Sequence, residues 1–455
     1  MRRTERVAGL AIAAGLALLT GCNPGPKYVR PSAPSPVAYK ESAPQAFKEG
    51  KGWKVAEPGD DKLRPKWWEV FNDPQLNELE EKAIRGNQSI VASEANYRAS
   101  RALVVSARSS LFPTVGTAPA YSNARFSSTA HGARVFVPGT ANGGTTTGGT
   151  SSGSGTGTST GGTTGGSTAV GGTSNSGVIN DFSFPLDVTY TVDFWHRIRN
   201  QIAANAFSAQ ASAADVGTAI LSIQSSLAQD YFEVRSLDMQ QAILQDTLAN
   251  YRNTLNLTLT LFKAGIDSEE DVSLAQTQLD TANAQATDLG VARAQFEHAI
   301  ATLIGEPAAN FSLTVANFVS NPPEVPVGVP STLLERRPDI AAAERQVASA
   351  NAQVGVARAA YYPNVTLSAS GGFESSQFLQ WFTWPSRFWS LGPTVSETIF
   401  DGGARRALNE QAQAAYDASV ANYRQTVLTV FQSVEDNLAA LRILSTEVGQ
   451  QHTTV

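Results

Sequence analysis

Between Pro185 and Pro307 the chain contains no proline, and apolar residues recur at alternating intervals of four and three. The series runs Val216, Ile220, Ile223, Leu227, Val234, Leu237, Leu244, Leu248, Tyr251, Leu255 and Phe262, with Asp230, Gln241 and Thr258 on the missing beats. A period of about 3.5 residues predicts a helix that packs as a left-handed coiled coil. Taken from Ile198 to Lys263, that helix is about 100 Å long at a rise of about 1.5 Å per residue. A second helix keeps the beat through Val272, Ala275, Leu279, Ala282, Ala286, Leu289, Phe296, Ile300 and Leu303. Its many alanines allow close helix approach. Between the two lies FKAGIDSEEDV. Gly265 suits a C-cap, Ser268 suits an N-cap, and Glu269, Glu270 and Asp271 sit well on the second helix dipole. The pair is predicted to be a helical hairpin with a tight tip.

Four other segments alternate with period two. In NDFSFPLDVTYTVDFW, Phe182, Phe184, Leu186, Val188, Tyr190, Val192 and Phe194 oppose Asp181, Ser183, Asp187, Thr189, Thr191 and Asp193; Pro185 breaks the scheme. In VTLSASGGF, Val365, Leu367, Ala369, Gly371 and Phe373 oppose Thr366, Ser368, Ser370 and Gly372. FWSLGPTVSETIF alternates less cleanly, and TVGTAPAYSNARF least. Amphipathic strands of about ten residues with aromatic ends fit an outer-membrane barrel with a wet lumen, although a soluble sandwich also alternates. Four strands cannot close a membrane barrel, and lipid tolerates no open edge, so several chains must pool their strands. Three chains would supply twelve.

The chain is internally duplicated. At an offset of 250, Glu94 matches Glu344, Ala102 matches Ala352, Val104 matches Val354, Ala107-Arg108 matches Ala357-Arg358, Pro113 matches Pro363 and Val115 matches Val365. Each copy reads as helix, strand, loop, strand, helix. Arg108 and Arg358 fall in the last turn of a helix, where a cation suits the dipole, and Pro113 and Pro363 stop the helix before the strand. The predicted segments are a leader (1–21), an extended N-terminal segment (22–72), a first repeat (73–306), a Pro-rich linker (307–337) and a second repeat (338–455). The linker carries Pro322, Pro323, Pro326 and Pro330, with one helical turn at Thr332–Glu335. Residues 140–177 are nearly all Gly, Thr and Ser. They form a loop that buries no core and matches no nucleotide-binding pattern.

The leader adds a compartment. Arg2, Arg3 and Arg6 precede the apolar run Val7–Leu19, which is too short to span a bilayer. Leu19-Thr20-Gly21-Cys22 then resembles a lipobox, with cleavage before Cys22 and a covalent lipid on its thiol. Cys22 is the single cysteine, so no disulfide framework or Cys-rich metal site is expected. Asn23 at the next position favours the outer membrane. Loss of the leader moves the net charge from −6 to about −8, which argues against a nucleic-acid partner. His131, His196, His298 and His452 lie in different segments without ligand spacing. No metal, cofactor or catalytic set is predicted.

Several phrases carry a resemblance: GPKYVRP (Gly25–Pro31), WWEVFNDPQLNEL (Trp67–Leu79), SARSSLFP (Ser106–Pro113), VPSTLLERRPDIAAAE (Val329–Glu344), VGVARAAYYPNVTLSASGGF (Val354–Phe373) and IFDGGARR (Ile399–Arg406). LLERRPDI is the most specific. With them the chain resembles the TolC-like outer membrane factors, in particular the NodT-like lipoprotein subunits of tripartite efflux systems of the resistance–nodulation–division class. The resemblance covers nearly the whole chain outside the Gly/Thr loop. It implies an α+β membrane protein and a homotrimer. Four strands per chain would make a twelve-stranded outer-membrane barrel, continued by a periplasmic α-helical barrel. It further implies passive, non-enzymatic conduction of drugs and other amphipathic solutes. The partners implied are a periplasmic adaptor at the hairpin tips and an inner-membrane pump. Lys263, Gly265, Ser268 and Asp271 are the candidate adaptor contacts, with simple helix capping as the alternative for the same residues.

Helices of the two copies also align at an offset of 207, pairing Leu221 with Leu428 and Ser226 with Ser433. A second tip would then fall beyond Val455, and the sequence is expected to be truncated relative to the family. Rival readings are an outer membrane factor for type I secretion or nodulation-factor export, and a coiled-coil surface lipoprotein that is no channel.

Overall fold

The computed structural model describes residues 23–33, 40, 66–125, 178–316 and 336–453. The leader, Cys22, the Gly/Thr loop at 140–177, most of the N-terminal segment, and linker residues 317–335 with the turn at Thr332–Glu335 lie outside the described residues. The chain divides into two compact units that cut across the linear segments. One combines Arg108–Ile198 with Ala360–Gly402. The other combines Asn23–Ala107, Arg199–Ala359 and Gly403–Val455.

The first unit is an antiparallel sheet built from both repeats. Its strands are β1 (Thr114–Thr117), β2 (Ala120–Arg125), β3 (Val178–Val192), β4 (Asn364–Ser375) and β5 (Arg387–Ser396). β1 and β2 both pair with β3, β3 pairs with β4, and β4 pairs with β5. The first predicted strand is therefore split, and the register explains the split. Thr117 pairs with Leu186 and Ala120 with Ser183, so Ala118 and Pro119 lie opposite Pro185 and Phe184. Both prolines lack an amide donor, and the ladder lapses where they meet. On its other side Pro185 pairs with Gly372. A Cβ on Gly372 would stand 2.0 Å from the Phe184 carbonyl oxygen, so glycine is required there. Gly371 next to it has room, with nothing closer than 3.6 Å.

β3 stops at Val192, short of the predicted Phe194. Asp193 leaves the ladder because its carboxylate accepts a hydrogen bond from the Ile198 amide at 3.0 Å.

The second unit is helical. Its elements are α1 (Pro74–Gly86), α2 (Gln88–Ser109), α3 (Arg197–Lys263), α4 (Glu269–Ile304), α5 (Pro338–Ala359) and α6 (Ala404–His452); the ends of α2 and α3 nearest the strands belong to the sheet unit. Leu248, Leu279 and Ala282 form the buried seam of the α3–α4 hairpin, flanked by Leu244, Tyr251, Leu255 and Ala286. Phe262 ends the heptad series but stays 42% exposed, since no element among the described residues covers it at the hairpin end. Trp68, Leu76, Leu79, Ala83, Leu227, Tyr231, Val234, Ile300, Ile304 and Leu313 make the main core. Buried alanines at 214, 341 and 342 bring α3 and α5 together, and the Ser349 hydroxyl donates to the Ala204 carbonyl at 2.9 Å.

α1 and α2 are separate helices, where a single helix is read from the sequence. Gly86 ends α1 against the end of α4, and a Cβ there would meet the Ile304 carbonyl oxygen at 2.2 Å. Gly305 returns the contact with a positive φ of 81°. Asn87 stitches the break. Its side-chain oxygen accepts from the Ser89 and Ile90 amides, and its amide nitrogen donates to the Leu303 carbonyl at 2.8 Å.

The duplicated helices α2 and α5 have 22 residues each. Their burial differs sharply. α5 buries Ile340, Val347, Ala348, Ala352 and Val354, whereas α2 buries only Ile90 and exposes Val91, Leu103 and Val105.

Candidate functional site

The register sorts each strand's alternation onto common faces. Val115, Val188, Ala369 and Leu391 form one cross-strand row, and Tyr190, Leu367 and Pro393 form another. Leu186, Gly371 and Trp389 share that face. Its Trp389, Leu391 and Val395 are 80%, 75% and 66% exposed. The opposite face carries Gly116, Asp187, Ser370 and Ser390 in one row, and Thr191, Thr366 and Thr394 in another. β5, the strand that alternates poorly on its own, obeys the same division from Trp389 to Ser396 once its register is known, with Arg387 and Phe388 reversed. Among the described residues, the outer strands β1/β2 and β5 each leave one edge without a partner strand. An exposed apolar face and open edges on one sheet call for an apolar covering and further strands.

The duplicated junctions lead into this sheet. Arg108 and Arg358 stand in the last turns of α2 and α5. Strands begin at Thr114 and Asn364, each one residue after Pro113 and Pro363. The Pro363 carbonyl accepts from the Trp195 indole at 2.9 Å, and that indole stacks on Tyr362 with centroids 4.6 Å apart.

At the hairpin tip, Lys263 is the last residue of α3. The Ile266 amide donates to the Leu261 carbonyl and the Gly265 amide to the Phe262 carbonyl. With Gly265 at φ 72°, this is a Schellman motif. Ser268 caps α4 and forms a reciprocal capping box with Asp271. Those hydrogen bonds hold the exposed Asp271 carboxyl below the usual carboxylate range. Ser268 and Asp271 are thus engaged with each other, while Lys263 and Ile266 project.

Sequence periodicity missed a second row on α3. Gln224, Ala228, Tyr231, Arg235 and Asp238 are buried at the same four–three spacing, one residue beside the apolar stripe. The Asp238 carboxylate accepts from Arg235 at 3.1 Å and from Arg293 at 2.7 Å. Arg235 also donates to Gln75 of α1 and, at 2.8 Å, to the Thr314 carbonyl. Arg293 donates to Glu297 and to the Leu313 carbonyl, and Glu297 accepts from the Leu313 amide. This network ties the extended stretch after α4 to α1, α3 and α4. The signal was available: charged residues on a heptad row beside a core stripe are costly to bury unless they are paired.

The N-terminal phrase GPKYVRP packs along α5. A Cβ on Gly25 would lie 3.0 Å from the Gly355 Cα, Asn351 donates to the Pro26 carbonyl at 3.0 Å, and the Tyr28 hydroxyl donates to Glu344.

One buried carboxylate stands apart. Glu80 of α1 is 0% exposed, and neither of its oxygens has a hydrogen-bond partner. Burial pushes its carboxyl from 4.5 to about 8. The folded state therefore holds a proton that the unfolded chain releases, and stability declines as pH rises from about 4.5 toward 8. Glu80→Gln removes that slope. Thermal melting of the solubilised protein across this window tests it; an unchanged slope in the variant assigns the effect elsewhere.

Among the described residues no group of three potential ligands could hold a metal ion, and no helix is long and apolar enough to cross a membrane.

Residues 79–306 and 329–452 match the outer membrane efflux protein family. The chain is 26% identical to the toluene efflux pump outer membrane protein TtgC of Pseudomonas putida, over 99% of this chain and 84% of that one. It is 29% identical to the pyoverdine export outer membrane protein OpmQ of Pseudomonas aeruginosa, over 92% and 80%. The solved outer-membrane channel OprN superposes with a TM-score of 0.74 at 27% identity, covering 95% of this chain and 86% of that chain. The CmeC channel of Campylobacter jejuni shares the fold, with a TM-score of 0.76 at 21% identity over 95% and 82%. Extent of match, amphipathic sheet and long helical hairpin agree: the chain belongs to the outer membrane efflux protein family.

Proposed function

We propose that this chain is the outer-membrane exit duct of a tripartite efflux pump, acting as a homotrimer. The observation that carries the reading is the sheet, which has one apolar face, one polar face and, among the described residues, two unpaired edges. Three copies supply twelve strands, within the range of closed outer-membrane barrels. The bare apolar side chains of α2 supply a helical surface for the neighbouring copy. Conduction is passive, and energy comes from an inner-membrane pump through a periplasmic adaptor. The adaptor meets the hairpin end, where Lys263 and the exposed Phe262 and Ile266 project from the frame set by Gly265, Ser268 and Asp271. Cys22 carries the lipid anchor, and the strap from Asn23 onward holds that anchor to the helices. Relatives named for toluene efflux and pyoverdine export support small organic cargo.

The test is gene deletion followed by complementation, scored by susceptibility to dyes and detergents. Deletion sensitises the cell and the full gene restores resistance. Gly265→Pro, which cannot adopt a positive φ, leaves a cross-linkable trimer but fails to restore. Cys22→Ser loses metabolic palmitate label. No change on deletion, together with no trimer on cross-linking, sinks the proposal.

A further inference from the structure

The five charged residues of the strands are segregated by face. Asp181, Asp187 and Glu374 pair with Ser122, Gly116 and Ser183 on the polar face. Arg125 pairs with Val178 and Arg387 with Phe373, which places both cations on the apolar face. Both stand at the strand ends remote from the helix junctions, both are exposed, and neither pairs with an acidic side chain among the described residues.

The apolar face between them is built up with aromatic rings. The β4–β5 turn folds back so that Phe378 and Trp381 each lie 5.6 Å from Phe182, and Phe382 lies 5.9 Å from Phe184. Trp384, 73% exposed, carries the Arg387 guanidinium 3.8 Å over its ring. A guanidinium stacked on one face keeps its N–H edge open for a phosphate, which it binds bidentately. Arginine deep in hydrocarbon is costly, but at the interface it meets headgroups, beside aromatic side chains that prefer the same depth.

We propose that this rim binds the phosphorylated headgroup of an outer-leaflet glycolipid, lipid A, with Arg387 and Arg125 on its phosphates and the aromatic pad against its acyl chains. The inference rests on the reading that the sheet closes a barrel whose turn end faces outward. Charge complementarity selects this occupant: the pad alone would accept any lipid, whereas two cations on the face that carries none of the strands' acidic residues call for an anionic one.

The test is native mass spectrometry of the full-length oligomer in detergent, offered lipid A with both phosphates or the same lipid dephosphorylated. The phosphorylated form is retained about tenfold better, the scale of one charge-assisted hydrogen bond. Arg387→Gln lowers the preference and Arg125→Gln/Arg387→Gln abolishes it. Equal retention of the two lipids, or an undiminished preference in the double variant, overturns the proposal. Cross-linking the same samples scores the channel reading separately, so equal retention of the two lipids by an intact parent oligomer counts against the lipid site alone.

Discussion

Asp238→Ala destabilises the helical unit by about 3–5 kcal/mol, the usual cost of removing one partner from a buried ion pair. Asp238 is 2% exposed and accepts from both Arg235 and Arg293. Its removal leaves Arg235, equally buried, with one carbonyl and one amide side chain but no countercharge. It also removes one of the two carboxylates paired with Arg293, a group that fastens Leu313 to α4. The apparent melting temperature drops by roughly 6–20 °C at about 2–4 °C per kcal/mol. Asp238→Asn, which keeps one of the two acceptor oxygens and no charge, falls between. If Asp238→Ala melts with the parent, the charge of Asp238 is dispensable and the extended stretch is held by Leu313 packing and its bonds to Arg293, Glu297 and Arg235.

Gly372→Ala prevents the sheet from assembling, while Gly371→Ala is tolerated. The two glycines are neighbours in β4, yet only Gly372 faces a backbone oxygen at 2.0 Å. The Phe184 carbonyl cannot retreat easily, because Pro185 fixes the next φ. The strain and the lost ladder bonds together cost about 3 kcal/mol or more. The expected readout is absence of the Gly372→Ala protein from outer-membrane fractions as a heat-modifiable oligomer, and drug susceptibility like that of a gene deletion. Equal behaviour of the two alanine variants would show that β3 and β4 slide to accommodate the methyl group.

What the chain determined by itself is local or periodic. Helical beats set α3 and α4, Gly265 and Ser268 set the hairpin tip, and Pro113 and Pro363 set the junctions, because each signal lies within a few residues of its effect. The duplication follows from matched residues alone. Tertiary structure decided everything that depends on distant partners. Cross-strand register made one face from four alternations of unequal quality, since a strand's side chains acquire a common face only by pairing. Two prolines remote in sequence interrupt the first strand because they meet across the ladder. Gly86 is demanded by Ile304, and Arg235 is buried because Asp238, Gln75 and the Thr314 carbonyl converge on it. The duplicated helices show the limit most directly: similar sequences give a buried α5 and an exposed α2, because burial belongs to the neighbours a helix finds rather than to the helix.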